Sequence, residues 1–219
     1  LSGTNTYTGA TTISAGVLSV GTIGNGAVAG NLGQASSAAT NLVFDGGTLQ
    51  YTGSTASTNR AFNITAAKTA TIEVTTSGQA LTISGDSGGS TSGALTKTGA
   101  GTLILSGTNT YTGATTISAG VLRAANAAAL GATTNGTTVA DGAALELSGG
   151  LTFNAEALTL NGTGISSGGA LRNVSGSNTY QGAITLASAT RINSDSGTLI
   201  LDVASGNGIT GTFNVTFGG

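Results

Sequence analysis

The stretch "LSGTNTYTGATTISAGVL" occupies residues 1–18 and returns without a change at residues 105–122. Its Thr, Gly, Ser and Asn would suit a flexible linker, but a linker has no reason to keep its sequence letter for letter. A looser copy, "SGSNTYQGAITL", lies at residues 175–186. One segment is therefore used repeatedly, and an internal repeat is the first feature to interpret.

The spacing of the copies predicts a coil of roughly 20 to 25 residues per turn. The two exact copies begin at Leu1 and Leu105, an offset of 104 residues, and Ser106 and Ser175 give an offset of 69 for the third copy. The first offset divides into five parts of roughly 21 residues and the second into three parts of about 23. With loops of variable length, the chain would form about nine to eleven such rungs.

Apolar residues alternate with polar ones in many short runs, which is the pattern of strands with one buried face. Examples are Leu49 and Tyr51, Ile72 and Val74, Leu103 and Leu105, Leu158 and Leu160, and Leu199 and Leu201. Aromatic residues make up only 4% of the chain, so the inward positions hold aliphatic residues that can stack from rung to rung. We therefore expect an all-β fold, a parallel β-helix. A β-sandwich or β-prism also has short alternating strands and stays open as an alternative.

Composition excludes several classes of function. The six Lys and Arg residues are scattered and the formal net charge is −2, whereas binding nucleic acid requires clustered positive charge. No apolar run approaches the ~20 residues that a membrane-spanning helix needs. Cys, His, Met and Trp do not occur, which removes disulfides and most ligands of transition metals. We expect no cofactor, no nucleic acid partner and no insertion into a membrane by this segment.

The run "GALTKTGAGTLILSGTNTYTGATTISAGVL" at residues 93–122 closely resembles the autotransporter-associated β-strand repeat, also called the passenger-associated transport repeat. The order of its Lys, Gly, Leu, Asn, Tyr and Gly residues agrees with that repeat. Residues 1–18 match the second half of another copy. Residues 175–186 match a diverged copy in which Gln181 replaces Thr.

The resemblance implies a right-handed parallel β-helix in a secreted protein of the bacterial cell surface, of the adhesin-like passenger class. It implies that residues 1–219 form a single segment of a longer repeat array. The repeat would build a non-enzymatic stalk or fibre. Its expected partners are other copies of the β-helix, stacked end to end or laterally, and surface glycans or other cells.

The "NTY-G" motif is the strongest candidate site. It comprises Asn5, Tyr7 and Gly9, then Asn109, Tyr111 and Gly113, and finally Asn178, Tyr180 and Gly182. Exposed tyrosines can stack on sugars or anchor a partner. A structural role competes with that interpretation, because Tyr can cap the core at a corner of the coil while the Asn side chains stack in a hydrogen-bonded ladder. We favour the structural role.

Catalytic and metal sites are not expected. A glycan-cleaving β-helix needs paired carboxylates, and calcium also prefers oxygen ligands in clusters. The pairs closest in sequence are Asp141 with Glu146 and Asp195 with Asp202, and stacking could bring their members together. "FDGGTLQY" and "GDSGGSTSG" contain the letters of calcium-binding β-rolls without their order or recurrence.

Three alternatives to a stalk remain for this sequence. One is a glycan- or cell-binding module that uses a sheet face or the loops "QASSAATN" (residues 34–41) and "GDSGGSTSGAL" (residues 85–95). A second is a polysaccharide-active enzyme. The third is an ice-binding face made of Thr, but that needs a regular array of Thr on successive rungs, and irregular rung lengths argue against it.

Overall fold

The computed structural model describes residues 1–89, 91–203, 206 and 208–219. Within them the chain forms twenty-four short strands and two 3-10 helices, Ala39–Asn41 and Ile165–Ser167. In chain order the strands are β1 (Thr11–Ile13), β2 (Val17–Val20), β3 (Leu42–Phe44), β4 (Thr48–Tyr51), β5 (Ala56–Thr58), β6 (Phe62–Ile64), β7 (Thr69–Val74), β8 (Ala80–Ile83), β9 (Ser87–Gly88), β10 (Ala94–Thr98), β11 (Thr102–Leu105), β12 (Thr115–Ile117), β13 (Val121–Ala124), β14 (Thr137–Val139), β15 (Ala144–Ser148), β16 (Thr152–Phe153), β17 (Leu158–Leu160), β18 (Leu171–Ser175), β19 (Asn178–Tyr180), β20 (Ile184–Leu186), β21 (Thr190–Ser194), β22 (Leu199–Leu201), β23 (Ile209–Thr210) and β24 (Val215–Gly218).

The strands form four parallel sheets, because each pairs with strands one turn before and after it along the chain. Sheet I has nine strands in the order β2-β4-β7-β10-β12-β14-β17-β20-β23, and sheet II has eight, β5-β8-β11-β13-β15-β18-β21-β24. Sheet III is β1-β3-β6-β9 and sheet IV is β16-β19-β22. A regular turn runs from sheet III or IV through sheet I to sheet II. The predicted all-β parallel solenoid is confirmed.

The turns differ in length, although most fall within the expected range. Thr96 pairs with Thr116 across a short turn, whereas Thr159 pairs with Thr185 across a longer one. The first step, from Val17 to Thr48, is the longest in sheet I. Nine strands stack in sheet I, which is the lower limit of the expected nine to eleven rungs.

The long first step is held by a buried arginine. The Arg60 guanidinium donates to the carbonyl oxygens of Gly24 at 3.0 Å, Gly33 at 2.8 Å and Ala35 at 3.3 Å. Burial lowers the pKa of Arg60. These bonds satisfy carbonyls that strand pairing does not reach, so the extra residues stay packed against the coil.

The two offsets between the repeat copies have different structural meanings. Thr116 reaches Thr185 through three successive pairings of sheet I, so the second and third copies lie three turns apart, as predicted. The two exact copies do not lie five turns apart. Residues 11–13 form β1 of sheet III, whereas the identical residues 115–117 form β12 of sheet I. The exact copies are therefore separated by four turns and one side of the coil.

The core consists of aliphatic columns that run along the coil. In sheet II the register stacks one inward residue of each turn on the next, in the column Leu81, Leu103, Leu122, Leu145, Leu171 and Ile192. Every member is buried. Residues of similar volume at one position pack without voids, and burying each such side chain contributes about 1.5–3 kcal/mol.

The exact repeat shows how much burial a neighbouring turn provides. Leu1 is 49% exposed and Tyr7 is 40% exposed, because they lie on the first turn of the coil. Their counterparts Leu105 and Tyr111, which lie between turns, are each 1% exposed. The same residues thus become core only when a turn stacks on each side.

This difference predicts unequal costs for the same substitution in the two copies. Leu122→Ala removes a fully buried side chain and is expected to lower the free energy of unfolding by about 2–5 kcal/mol. Leu18→Ala, in the same local sequence but half-buried, is expected to cost about 1 kcal/mol or less. Urea denaturation of the two variants measures both values. Equal losses would contradict the contribution of the neighbouring turn.

Candidate functional site

The three motif copies occupy two different places in the coil. Asn109 and Tyr111 lie between β11 of sheet II and β12 of sheet I. Asn178 and Tyr180 belong to β19 of sheet IV, which also precedes a strand of sheet I, three turns later. Asn5 precedes a strand of sheet III and forms an isolated antiparallel bridge with Gly30. The described positions of the copies do not form one joint surface.

The two identical copies nevertheless build the same local structure. The hydroxyls of Tyr111 and Thr115 lie 2.8 Å apart, and those of Tyr7 and Thr11 lie 2.7 Å apart. In both copies the Tyr carbonyl also accepts a backbone N–H from the following turn, at 2.9 Å and 2.7 Å. The local sequence determines these contacts, whichever side of the coil it occupies.

A glycine of the following turn lies against each of these tyrosine rings. A Cβ at Gly131 would lie 2.7 Å from the Tyr111 ring, and a Cβ at Gly33 would lie 2.6 Å from the Tyr7 ring. Both glycines have positive φ, which also disfavours a side chain. Neither glycine was predicted from the sequence to lie at this contact. The Leu-Gly pairs at residues 32–33 and 130–131 are the signal that would have pointed to this contact.

The third copy differs because its sequence differs. Ile184 stands where the other copies have Thr, so the phenol has no hydroxyl partner four residues on. The Tyr180 hydroxyl donates instead to the backbone carbonyl of Glu156, at 2.9 Å. Tyr111 and Tyr180 are both buried, and burial raises the pKa of each phenol. Neither ring is available to stack on a sugar in this structure.

The motif asparagines bind the backbone of neighbouring turns. Asn109 Oδ1 accepts the N–H of Ser87 at 2.9 Å, and its Nδ2 donates to the carbonyl of Ala129 at 2.7 Å. Asn178 Oδ1 accepts the N–H of Leu151 at 2.8 Å. The motif asparagines do not stack on one another in the expected ladder, because the copies lie whole turns apart. Asn178 Nδ2 donates instead to the Asn173 side chain and to the Ser175 carbonyl, both in the preceding strand.

The motif glycines allow close approach of the preceding turn. A Cβ at Gly113 would clash with the carbonyl oxygen of Gly93, and one at Gly182 would clash with that of Glu156. Gly9, on the first turn, has nothing within 4 Å of the same position. Glycine is therefore required at this motif position only where a preceding turn packs against it.

A charged network follows the outer face of sheet II. The register aligns Arg123, Glu146 and Arg172 on three successive turns. Arg123 Nε donates to Glu146 Oε2 at 2.8 Å, and Arg172 Nη1 donates to Glu146 Oε1 at 2.9 Å. Arg172 also pairs with Asp195. Each charge is therefore balanced by one from the next turn.

This network does not join the carboxylates that lie closest to each other in the sequence. Glu146 and Asp195 meet at the same arginine, Arg172, rather than with Asp141 and Asp202. Burial opposes ionisation of Asp195, but bonds from Arg172 and Asn193 with nearby arginine charges hold its pKa below the usual value. Both Glu146 oxygens already accept guanidinium groups. Such an arrangement supports a structural ion-pair network better than separate acid and base roles.

Two ionisable residues are buried in the coil itself. Lys97 takes an inward position between Ile72 and Ile117, and its Nζ donates to the carbonyls of Thr98 and Gly99 at 2.6 and 2.8 Å. Burial lowers the pKa of Lys97 to about 8, although the Glu73 charge opposes that shift. Because the ammonium group makes these bonds, a lysine can occupy one position of an otherwise aliphatic column.

Glu156 is the buried acid. It is 3% exposed, and the Thr137 hydroxyl donates to its Oε1 at 2.6 Å. Burial raises the pKa of Glu156 to about 7, which the Thr137 bond only partly offsets. The carboxyl therefore lies in the core as a largely neutral group under mildly acidic conditions.

The loops proposed for binding are held by the coil. In residues 34–41, the carbonyl oxygen of Ser37 accepts the backbone N–H of Ala61 at 2.9 Å. In residues 85–95, Asp86 accepts the N–H of Thr108 at 2.7 Å, and β9 and the start of β10 belong to sheets. Ser90 of that stretch lies outside the described residues. Residues 204, 205 and 207 also lie outside them.

The described part of the chain contains no group of three or more acidic or other metal-binding side chains placed to hold a metal ion. Among the same residues, no helix has the length and apolar character needed to cross a bilayer.

Comparison with known proteins identifies the repeat. The model of the passenger-associated-transport-repeat family matches residues 1–20 and 95–124. The autotransporter adhesin BmaC of Brucella suis biovar 1 (strain 1330) is 50% identical over 119 residues, which are 54% of this chain and 3% of that protein. No solved structure gives a significant match.

These matches agree with the resemblance found in the sequence. The chain carries passenger-associated transport repeats over residues 1–20 and 95–124, in agreement with the copies predicted there. The expected location, secreted and on the bacterial cell surface, is confirmed as well. The chain spans 3% of the length of this relative.

The buried carboxyl predicts a specific pH dependence. Because folding raises the pKa of Glu156 from 4.5 to about 7, the folded state binds this proton more tightly than the unfolded state does. Its contribution to stability is therefore complete below pH 4.5 and is lost as the pH rises through 7, by about 3 kcal/mol. Glu156→Gln keeps an acceptor for Thr137 and is expected to remove this dependence.

Urea denaturation of both proteins between pH 4.5 and 8.5 checks the prediction. The difference in unfolding free energy between Glu156→Gln and the unaltered protein should increase in favour of the variant as the pH rises. A difference that stays constant across this range would contradict it.

Proposed function

We propose that this chain is a non-enzymatic structural segment, a stalk or fibre portion of an adhesin-like surface passenger. The observation that carries the proposal is the uninterrupted pairing of sheet I from β2 to β23. Sheet II runs beside it from β5 to β24. A long, continuous coil with an aliphatic core is suited to act as a rigid spacer. The carboxylates of Glu146 and Asp195 are ion-paired, which favours a structural role for them over a catalytic one.

The proposed mechanism is mechanical. Hydrogen bonds between parallel strands run along the axis of a solenoid, so tension along the axis loads the contacts between neighbouring turns. Each such contact includes strands of at least two sheets, as between β10–β11 and β12–β13. Several bonds then share the load. Their number, rather than the strength of any one bond, sets the resistance.

Single-molecule pulling between residues 1 and 219 tests this proposal. We expect stepwise extension in multiples of one turn, about 70–90 Å for 20–26 residues at ~3.5 Å per residue. Leu122→Ala should lower the force at which the central turns separate, and Leu18→Ala serves as its matched control. Smooth extension without steps would overturn the mechanical proposal.

We further propose that the segment belongs to a longer array and that coils stack end to end. The coverage of the BmaC relative supports the array. At one end of the coil the strand edges of β1, β2 and β5 face outward, and at the other end those of β22, β23 and β24 do. Open edges of parallel sheets can pair with further strands.

Apolar surface at the second end supports stacking there. Phe217 is 61% exposed, and with Ile192, Leu199 and Leu201 it lines a cavity of about 140 Å³. A stacked turn would cover these side chains as interior turns cover their equivalents. The contact would be head to tail, and head-to-tail contacts extend into fibres.

The alternative is a glycan- or cell-binding module, and the word adhesin in the relative's name favours it. In that case the isolated segment would bind host cells or immobilised glycans. Such binding, with pulling behaviour unchanged, would assign adhesion to this segment in addition to its mechanical role. Binding without mechanical steps would favour the alternative.

A further inference from the structure

Asparagine followed by glycine is a pair that can change chemically without an enzyme. Glycine has no Cβ to keep its backbone nitrogen away from the preceding side chain. The chain contains four such pairs, at residues 25–26, 135–136, 161–162 and 207–208. Asn207 lies outside the described residues, so the structure distinguishes the first three pairs. Cys and Met do not occur, which removes the oxidation of sulfur-containing side chains as a competing change.

In two of these pairs a hydrogen bond holds the glycine nitrogen. The N–H of Gly26 donates to Oδ1 of Asn59 at 2.9 Å, and the N–H of Gly162 donates to the hydroxyl of Ser188 at 2.6 Å. The nitrogen must lose this proton and turn toward the asparagine Cγ before it can react. Each bond has to break first, which adds a free-energy cost to the reaction.

The pair Asn135–Gly136 lacks this protection. Among the residues that the structure describes, the N–H of Gly136 has no hydrogen-bond acceptor. Asn135 is exposed and follows a turn between β13 and β14. Its Nδ2 donates to the carbonyl oxygen of Thr112, which leaves Cγ open to the glycine nitrogen.

The other two pairs match Asn135 in every respect but the glycine nitrogen, one in each respect. Asn25 is exposed, as Asn135 is. Asn161 donates its Nδ2 to a backbone carbonyl, that of Val139 at 2.9 Å, as Asn135 does to its own partner. The feature that separates Asn135 from both is therefore the free N–H of Gly136.

We propose that Asn135 deamidates spontaneously in the folded protein, while Asn25 and Asn161 are protected. The nitrogen of Gly136 attacks Cγ of Asn135 and the Cγ–Nδ2 bond breaks. The Nδ2 group leaves as ammonia after it takes up the proton of the Gly136 N–H through solvent. Water then opens the resulting five-membered succinimide at either of its two carbonyl carbons, which gives aspartate or isoaspartate. The reaction consumes one water and needs no oxidant or reductant.

This change removes a contact between two turns of the coil. Nδ2 of Asn135 is the donor to the carbonyl of Thr112, the residue that follows Tyr111 of the motif. A carboxylate cannot donate this bond, and its negative charge faces the carbonyl oxygen. Isoaspartate also adds a methylene to the backbone just before β14, where pairing with β12 begins. The packing of this corner therefore depends on the age of the molecule.

Mass spectrometry of the unaltered chain tests the proposal without any substitution. The protein is incubated in mildly alkaline buffer and digested in acid, and the peptides containing Asn25, Asn135 and Asn161 are followed over time. Enzymatic methylation identifies isoaspartate. We expect the Asn135 peptide to gain one dalton about tenfold faster than the other two, since one hydrogen bond changes a rate by this order. Equal rates, or a faster reaction at either other site, would overturn the proposal.

The same measurement in concentrated urea separates structure from local sequence. Unfolding removes the bonds to Gly26 and Gly162, so the three sites should react at similar rates. A preference for Asn135 that persists in urea would assign the reaction to the neighbouring residues and contradict a structural origin.

Two substitutions test the protecting bonds directly. Asn59→Ala removes the acceptor of the Gly26 N–H and should speed deamidation of Asn25 about tenfold. Ser188→Ala removes the acceptor of the Gly162 N–H and should do the same for Asn161. Each variant is the matched control of the other, because it leaves the other pair intact, and thermal melting verifies folding. Unchanged rates at both sites would overturn the protection.

The consequence for packing has its own measurement. Asn135→Asp imitates one product and is expected to lower the melting temperature by about 2–4 °C. Asn25→Asp is the matched control, because it keeps the Oδ1 that accepts the Asn59 N–H at 3.0 Å, and it should melt as the unaltered protein does. Equal melting of Asn135→Asp and the unaltered protein would overturn the lost contact. These outcomes do not depend on the proposed stalk.

Discussion

The register between successive turns is the constraint on which the rest of this structure depends. Strands of one turn bond to the turns before and after at ~4.8 Å, so each side chain stacks on its counterpart one turn away. A column must then hold residues of compatible size and polarity. The leucine column from Leu81 to Ile192 satisfies this requirement inside the coil. Outside it, the requirement is satisfied by the threonine row of sheet I, which comprises Thr48, Thr71, Thr96, Thr116, Thr138, Thr159, Thr185 and Thr210. The proposed stalk function depends on the continuity of these columns.

The exact repeat shows that local structure and position in the coil are separable. Tyr7 and Tyr111 make the same hydroxyl contact and receive the same glycine from the next turn, yet they lie on different sides of the coil. The local sequence of each copy is therefore sufficient to form its corner and the strands beside it. What differs is burial, because only the interior copy has a turn on each side. A duplicated unit of this kind can extend the coil even when its copy falls on a different sheet.

Much of the fold could be predicted from the sequence, because alternation and punctuation by Gly and Asn are local signals. The motif copies and the three-turn offset between the second and third copies could also be predicted from the sequence. The buried charges were not. Lys97, Glu156 and the Arg123–Glu146–Arg172 network depend on which residues meet one turn apart. That partner is set by loop lengths between strands, which vary from turn to turn and have no periodic signature.

The same variation explains why the threonine row was underestimated. Irregular turn lengths argue against a regular array only if the extra residues interrupt the strands. Here they lie between strands: the step from Val17 to Thr48 is the longest in sheet I and the step from Thr96 to Thr116 is the shortest, yet both end in paired strands. Loops absorb the difference and hydrogen-bond pairing restores the register at each turn. A sequence with irregular spacing can therefore present an ordered face, and its order has to be read from strand pairing.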